Sequence, residues 1–488
     1  MRRMIRSRFL QFPGDRRHSP ALSVASRVKL GMALPRLAAL TVILHILLAA
    51  VQHRLAKAGA LGTDTFFYYV VMAAMLACYV AVIRSTSEAP DRRTWRLLVG
   101  VPFLIQLGWL IPLPVLAIDA YSYLVDAAHA HAGLSPYVHS VKDAAGTELG
   151  HTLTAYSWRP VHGVTPYGPV WLTIVTVVGP YAADVEVGVR LLKLLAFGAT
   201  TLTAWLVFFT AAASLRVRAF TAFWWNPVVI VEAAGEAHND AIMALAVVLS
   251  LWCLRRQAIV SAAAGLTAAV LTKWVPALFA PAYLTYAWRN GLLTRRTLTL
   301  GAAVTVGIIV GSYWSFWAGA DTFDGLRNLG GPRFIASTTG SFARLFGQYP
   351  TAITLLRALA LATVVVTVVY AAAVIRTVDD LCRGCAACAL AYILVASPTY
   401  WAWYVVLPIA LLTLAGDIRL MLVLTVASRF VAPLDLIRLR GGLSWTTEVW
   451  VTTVIALWLP LVFLAVRVKA DRGSATLKDG IIKASISG

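Results

Sequence analysis

Residues 95–126 read WRLLVGVPFLIQLGWLIPLPVLAIDAYSYLVD: from Leu97 to Ile118 no side chain is ionised, and then Asp119 opens a polar stretch. A helix crosses the roughly 30 Å of bilayer hydrocarbon in about 20 residues, so the run reads as a membrane span. Charge at the end of a span is costly unless it meets a cavity or a partner. Asp119, followed by Tyr121, Tyr123, Asp126, His129 and His131, therefore marks a candidate site. The polar stretch closes at Thr165-Pro166-Tyr167-Gly168-Pro169, making it the longest polar loop of the chain.

Composition sets the class. Of 488 residues 59% are hydrophobic and 13% charged, against about 25% charged in soluble domains. The chain reads as an all-α polytopic membrane protein. Its formal charge of +20 sits in short loops and in both tails rather than along one face, which argues against a nucleic-acid partner.

About 14 hydrophobic runs qualify as candidate spans, some of them short. The clearest are Leu34 to Val51, Thr65 to Ile83, Trp95 to Ile118, Gly188 to Ala213, Thr297 to Trp317, Thr351 to Ile375 and Trp445 to Val466. Shorter runs include Ala219 to Ala234, Ala241 to Leu254, Ala258 to Thr272, Trp401 to Ala415 and Arg419 to Pro433. Cations recur at alternate ends: Arg2 to Lys29 before the first span, Arg84 to Arg96 after the second, then Arg255, Arg289, Arg295 and Arg467. The positive-inside rule then predicts a cell-membrane, multi-pass chain with both termini cytoplasmic. The expected division is a basic tail over 1–33, a transmembrane domain over 34–467 and a polar tail over 468–488. Within the domain, 119–186 and 319–350 form extracytoplasmic loops. Val170 to Val178 is too short to span and is expected to lie flat on the outer surface.

Two constellations stand out. If the chain from Asp119 onward is helical, Asp119, Tyr123 and Asp126 share a face at i, i+4 and i+7, with His129 three residues further on. A water-exposed helix end would serve the same residues equally well. The second constellation follows Trp225-Asn226-Pro227, where Glu232, Glu236 and Asp240 recur at i, i+4 and i+8 beside His238-Asn239. They either line an aqueous cavity or form an acidic helix start at Asn239 or Asp240. Lys273, Arg333 and Arg344 are the outer cations able to meet a phosphate, although Lys273 can equally snorkel to the interface. Tyr400 to Tyr404, with Trp401 and Tyr404, suits a sugar or prenyl groove and suits an interfacial belt as well.

Metal and redox chemistry find little support. Cys382, Cys385 and Cys388 form a C-x2-C-x2-C string with no fourth cysteine nearby, and small thiols pack well in apolar helices. His129 and His131 fall on opposite helical faces, so no metal site and no bound cofactor is expected. Neither an Asp-x-Asp run in the Asp119 loop nor a glycine-rich phosphate loop is present. A carboxylate beside outer cations suits transfer from a lipid-anchored phosphate donor, the carboxylate acting as base and the cations receiving the phosphate.

The set Asp119-Ala120-Tyr121-Ser122-Tyr123, Gly133-Leu134-Ser135-Pro136-Tyr137, Thr165-Pro166-Tyr167-Gly168-Pro169-Val170-Trp171, Trp225-Asn226-Pro227, His238-Asn239-Asp240 and Trp401-Ala402-Trp403-Tyr404 resembles a known family. It is similar to the polyprenol-phosphate-mannose-dependent α-1,6-mannosyltransferases of actinobacterial lipomannan assembly, which are GT-C glycosyltransferases. The likeness runs from about the third span to the twelfth. It implies a GT-C-like fold, Asp119 as the base, a β-linked polyprenyl-phosphate-mannose donor, a glycolipid or lipoglycan acceptor and inversion to an α-linkage. Many GT-C relatives carry a second acid directly after the first, whereas Ala120 stands here.

The resulting expectation gives Asp119 the base role. Asp126, Glu236, His238 and Asp240 position acceptor or base, Tyr123, His129, Tyr167 and Asn239 join them in binding substrate, and Lys273 with Arg333 or Arg344 holds the lipid phosphate. A flippase or transporter of a lipid-linked sugar is the competing class, because broken spans with buried acids also build transport sites. The absence of an internal repeat weighs against it.

Overall fold

The computed structural model describes residues 24–57, 61–156, 158–159, 163–329, 337–345 and 349–467. Among them every regular element is helical and no strand occurs. Three long helices come first: α1 (Val24–Lys57), α2 (Leu61–Ser85) and α3 (Arg92–Trp109). The first begins ten residues ahead of the apolar run at Leu34, so part of the expected tail is helical.

The third helix stops at Trp109, short of Ile118. Pro112 and Pro114 explain the stop, since neither offers an N–H and each disfavours a helical residue before it. An irregular stretch then leads to α4 (Asp119–His131), whose helix meets the condition under which Asp119, Tyr123 and Asp126 share a face. Short helices α5 (Glu148–Ala155) and α6 (Pro169–Thr176) follow in the loop. At eight residues α6 rises about 12 Å, too little to span.

This loop folds around its own apolar cluster. Tyr121, Tyr123, Leu124, Trp158, Trp171 and Val175 pack together with Val189 and Leu192 from α7 (Val185–Thr210). Next come α8 (Arg216–Trp224), α9 (Pro227–Gly235) and α10 (Asp240–Arg255). Asn226 caps α9 by accepting from the Val228 amide at 2.9 Å, and Pro227 takes the first helical position where a missing N–H costs nothing. From Ile230 to Gly235 the turn widens to a π-helix, a form that recurs at functional sites. Ala237 then adopts φ +64°, and α9 and α10 meet at 120°.

The chain continues through α11 (Ile259–Val270), α12 (Ala280–Arg289), α13 (Arg295–Tyr313), α14 (Asp324–Leu329) and α15 (Thr338–Leu345). It ends with α16 (Pro350–Val374), α17 (Val378–Ala391), α18 (Val406–Leu414), α19 (Ile418–Val431), α20 (Leu434–Leu439) and α21 (Trp445–Thr452). The main core gathers α8 to α10 with α17, α18 and α19, whereas α13 buries none of its side chains. A bare apolar helix of this kind fits a lipid-facing position.

Seven helices among the described residues are long and apolar enough to cross a membrane, or eight when α9 and α10 count as one bent span. That is fewer than the 14 or so runs read from composition. Hydropathy detects apolar stretches without seeing where they break: α8 has nine residues, α11 twelve and α18 nine. The structure is that of an all-α polytopic membrane protein.

Candidate functional site

The stretch before Asp119 is fixed by a carboxylate from another segment. The backbone amides of Val115, Leu116 and Ala117 donate to one oxygen of Glu236 at 3.2, 3.1 and 3.2 Å. The Tyr121 hydroxyl donates to the Pro114 carbonyl at 3.0 Å, and Lys193 donates to that of Pro112. Five contacts thus aim the start of α4. Asp119 occupies its first turn, where the helix dipole favours an anion.

Asp119 is 8% exposed, while Asp126 is 2% and Glu232, Glu236 and Asp240 are each 1% exposed. It is the acid of this group with most access to solvent. The Tyr167 hydroxyl donates to Asp119 Oδ2 at 3.5 Å and receives the Tyr123 hydroxyl at 3.5 Å. Burial first, and the Asp119 charge next, hold both phenols well above their usual pKa, so they remain protonated donors.

Tyr167 is delivered by a close backbone approach. The Gly168 amide donates to the Thr272 carbonyl at 3.1 Å and the Val170 amide to that of Leu271 at 2.9 Å. A Cβ at position 168 would lie 2.0 Å from the Leu271 oxygen, so only glycine fits. This approach sets Tyr167 beside Lys273, whose ammonium lies 6.0 Å from the Tyr167 ring centre and 4.9 Å from that of Tyr404. Lys273 Nζ bonds Asp240 Oδ2 at 2.8 Å. It is a partnered cation at the site, and its aromatic surround adds to the attraction.

His238 sits between the two acidic groups. Its Nε2 lies 4.0 Å from Asp119 Oδ2, and its Nδ1 lies 3.2 Å from Glu232 Oε2. The Trp403 indole stacks on the imidazole at 3.8 Å, and Trp401 stacks on Trp403 at 5.2 Å. Behind Glu232 stands Arg429, its Nη1 2.9 Å from Glu232 Oε1 and its side chain fully buried.

The single acidic stripe expected for Glu232, Glu236 and Asp240 does not form. Widening of the turn and the bend at Ala237 send the three carboxylates to different partners: Arg429 and His238, the 115–117 amides, and Lys273 respectively. Asp240 does begin the next helix, as the alternative reading had it.

Other expected residues fall further out. Asp126 accepts from the Thr165 hydroxyl at 3.0 Å and so ties the end of the loop to α4. His129, in the last turn of α4, lies against His139 with ring centres 5.9 Å apart. Asn239 is fully buried beside His238, with no hydrogen bond from its side-chain amide among the described residues. Arg333 lies outside the described residues, as does the side chain of Arg344 on α15. Among the described residues no three His, Cys, Asp or Glu gather as metal ligands would, and the three cysteines of α17 are buried free thiols.

Arg429 escapes the sequence reading, and Trp403 enters it only as part of the Tyr400 to Tyr404 segment. The signal for Arg429 was present: a lone cation inside the apolar run from Arg419 to Pro433. Trp403 stood between two residues that were singled out, with nothing local to rank it above them.

The family described as Alpha-(1->6)-mannopyranosyltransferase, N-terminal domain, matches residues 36–290, which carry Asp119, Glu236, His238, Asp240 and Lys273. Alpha-(1->6)-mannopyranosyltransferase A of Corynebacterium glutamicum is 30% identical over 175 residues, 34% of this chain and 34% of the relative. Alpha-(1->6)-mannopyranosyltransferase A of Mycobacterium tuberculosis is 28% identical over 200 residues, 38% of this chain and 37% of the relative. The matched part thus spans little more than a third of either relative. Because the family match covers more than half of the 488 residues, the chain belongs to the α-(1→6)-mannopyranosyltransferase family.

Proposed function

We propose that this chain is an inverting glycosyltransferase of the cell membrane. It moves mannose from polyprenyl-phosphate-mannose to a glycolipid or lipoglycan acceptor through an α-1,6 linkage. The observation that carries the reading is the placing of a carboxylate and a lysine on either side of Tyr167. Asp119 accepts from Tyr167, and Lys273 lies 6.0 Å from its ring. The names of both relatives support the sugar and the linkage.

In the proposed reaction Asp119 takes the proton of an acceptor hydroxyl as that oxygen bonds to the anomeric carbon of mannose. The bond from that carbon to the phosphate oxygen breaks on the opposite face, which inverts the configuration. Lys273, together with Arg333 or Arg344, neutralises the departing polyprenyl phosphate in this proposal. Asp240 holds the ammonium in place, Glu236 fixes the approach to Asp119, and Trp401 and Tyr404 offer rings to the sugar or the prenyl chain. The loop over 119–186 faces the extracytoplasmic side in this reading, and both termini face the cytoplasm.

The test is mannose transfer by purified, folded Asp119→Asn protein supplied with polyprenyl-phosphate-mannose and a mannoside acceptor. A fall of several orders of magnitude is expected. Near-normal transfer would remove Asp119 from the base role. Vesicles in which the lipid changes leaflet without a new glycosidic bond would favour a carrier instead.

A further inference from the structure

We infer that the buried Glu232–Arg429 pair holds His238 as a cation against Asp119, which makes Glu232 and Arg429 positioning residues of the transfer site. The inference rests on the reading of Asp119 as the base.

The argument begins with the arginine. Arg429 is completely buried and its guanidinium keeps its charge in any protein environment. With Arg429 Nη1 at 2.9 Å, Glu232 stays ionised, since a neutral acid there would leave the arginine without a counter-charge. The other Glu232 oxygen lies 3.2 Å from His238 Nδ1, and the Glu232 carbonyl lies 3.1 Å from the same nitrogen. Facing two acceptors, Nδ1 carries a proton in either charge state of the ring. The nitrogen free to gain or lose a proton is therefore Nε2.

His238 Nε2 is buried, makes no hydrogen bond among the described residues and lies 4.0 Å from Asp119 Oδ2. Among the described residues the charged groups that act on the ring are acids: Glu232 and Glu236 from the π turn and the bend, Asp240 from α10 and Asp119 from α4. The cations stand behind these acids, Arg429 of α19 paired with Glu232 and Lys273 with Asp240. Trp403 covers the imidazole face at 3.8 Å, an arrangement that favours a cation and fixes the ring plane. Signs alternate along the row: Arg429 plus, Glu232 minus, His238 plus, Asp119 minus. Such a row supplies Asp119 with a counter-cation while Lys273 stays engaged with Asp240 at the opening.

Arg429 lies far outside the 36–290 region of the family match. The C-terminal part of the chain thus completes a site whose other charged members come from the N-terminal part.

The test is the pH dependence of kcat/KM for mannose transfer from a short-chain polyprenyl-phosphate-mannose to octyl α-mannoside. It uses full-length wild type, Glu232→Gln, His238→Gln, Arg429→Lys and Asp119→Asn. Removing a nearby cation raises a carboxylate's pKa by about one unit or more, so the acid limb should move up by that amount in Glu232→Gln and His238→Gln. Activity should return toward wild type at high pH. Arg429→Lys, which keeps the charge, should keep the wild-type limb. A uniform loss with the limb unmoved would mean a packing role and overturn the inference. Should Glu232→Gln fail to fold, His238→Gln carries the same comparison, because its side chain does not touch Arg429. Wild-type transfer by Asp119→Asn would instead sink the base assignment, so the two failures are told apart.

Discussion

The Trp403 indole lies on the His238 imidazole with ring centres 3.8 Å apart and planes 15° from parallel. Two residues separated by most of the second half of the chain thereby share a surface beside Asp119. Stacking of this kind contributes about 0.5–1.5 kcal/mol beyond area burial. Trp403→Leu keeps an apolar side chain and loses the stack, so kcat/KM should fall roughly 2- to 10-fold. Trp403→Phe should retain most of the rate. Equal rates for wild type and Trp403→Leu, measured by mannose transfer, would reduce Trp403 to packing.

Lys273 should govern the donor. Lys273→Met removes a charge-assisted contact worth about 1.5–3 kcal/mol and should raise the KM for the lipid donor by roughly 10- to 100-fold. Lys273→Arg should restore much of it, because the charge remains. Initial rates over a range of donor concentrations decide the point. A change confined to the acceptor KM would place the phosphate elsewhere.

Gly168 allows two segments to touch. A Cβ there would meet the Leu271 carbonyl oxygen at 2.0 Å and its carbon at 2.3 Å, both rigid backbone atoms. Gly168→Ala should therefore cost about 1–3 kcal/mol and displace Tyr167 from Asp119 and Lys273. Thermal unfolding and transfer should both suffer. Gly146→Ala, with nothing within 4 Å of the added carbon, serves as the neutral control.

His129 gives the loop a pH-dependent stability. Burial, and then neighbouring His139, lower its pKa from the ordinary 6.5. Below 6.5 the unfolded chain binds a proton that the folded loop resists, so stability falls as pH drops from 6.5 toward the folded value and is level above 6.5. His129→Gln should flatten that slope between pH 6.5 and more acidic values, read from unfolding midpoints across pH. An unchanged slope would assign the effect to other groups.

Sequence alone determined the class and pointed to Asp119 as a candidate, because each follows from local physics. Apolar length reports a membrane solvent, and an acid closing an apolar run reports a cost that a site must offset. Sequence also marked His238, Asp240 and Lys273 as members of one site. The number of spans and the partners of the acids lay beyond it. A π turn and a left-handed Ala237 rotate Glu232, Glu236 and Asp240 apart, and helical spacing carries no sign of either. Arg429 and Trp403 reach the site from more than 160 positions away, by packing of α19 and the 402–405 turn against α9. Long-range pairing of buried charge depends on which helices meet, and only the folded chain decides that.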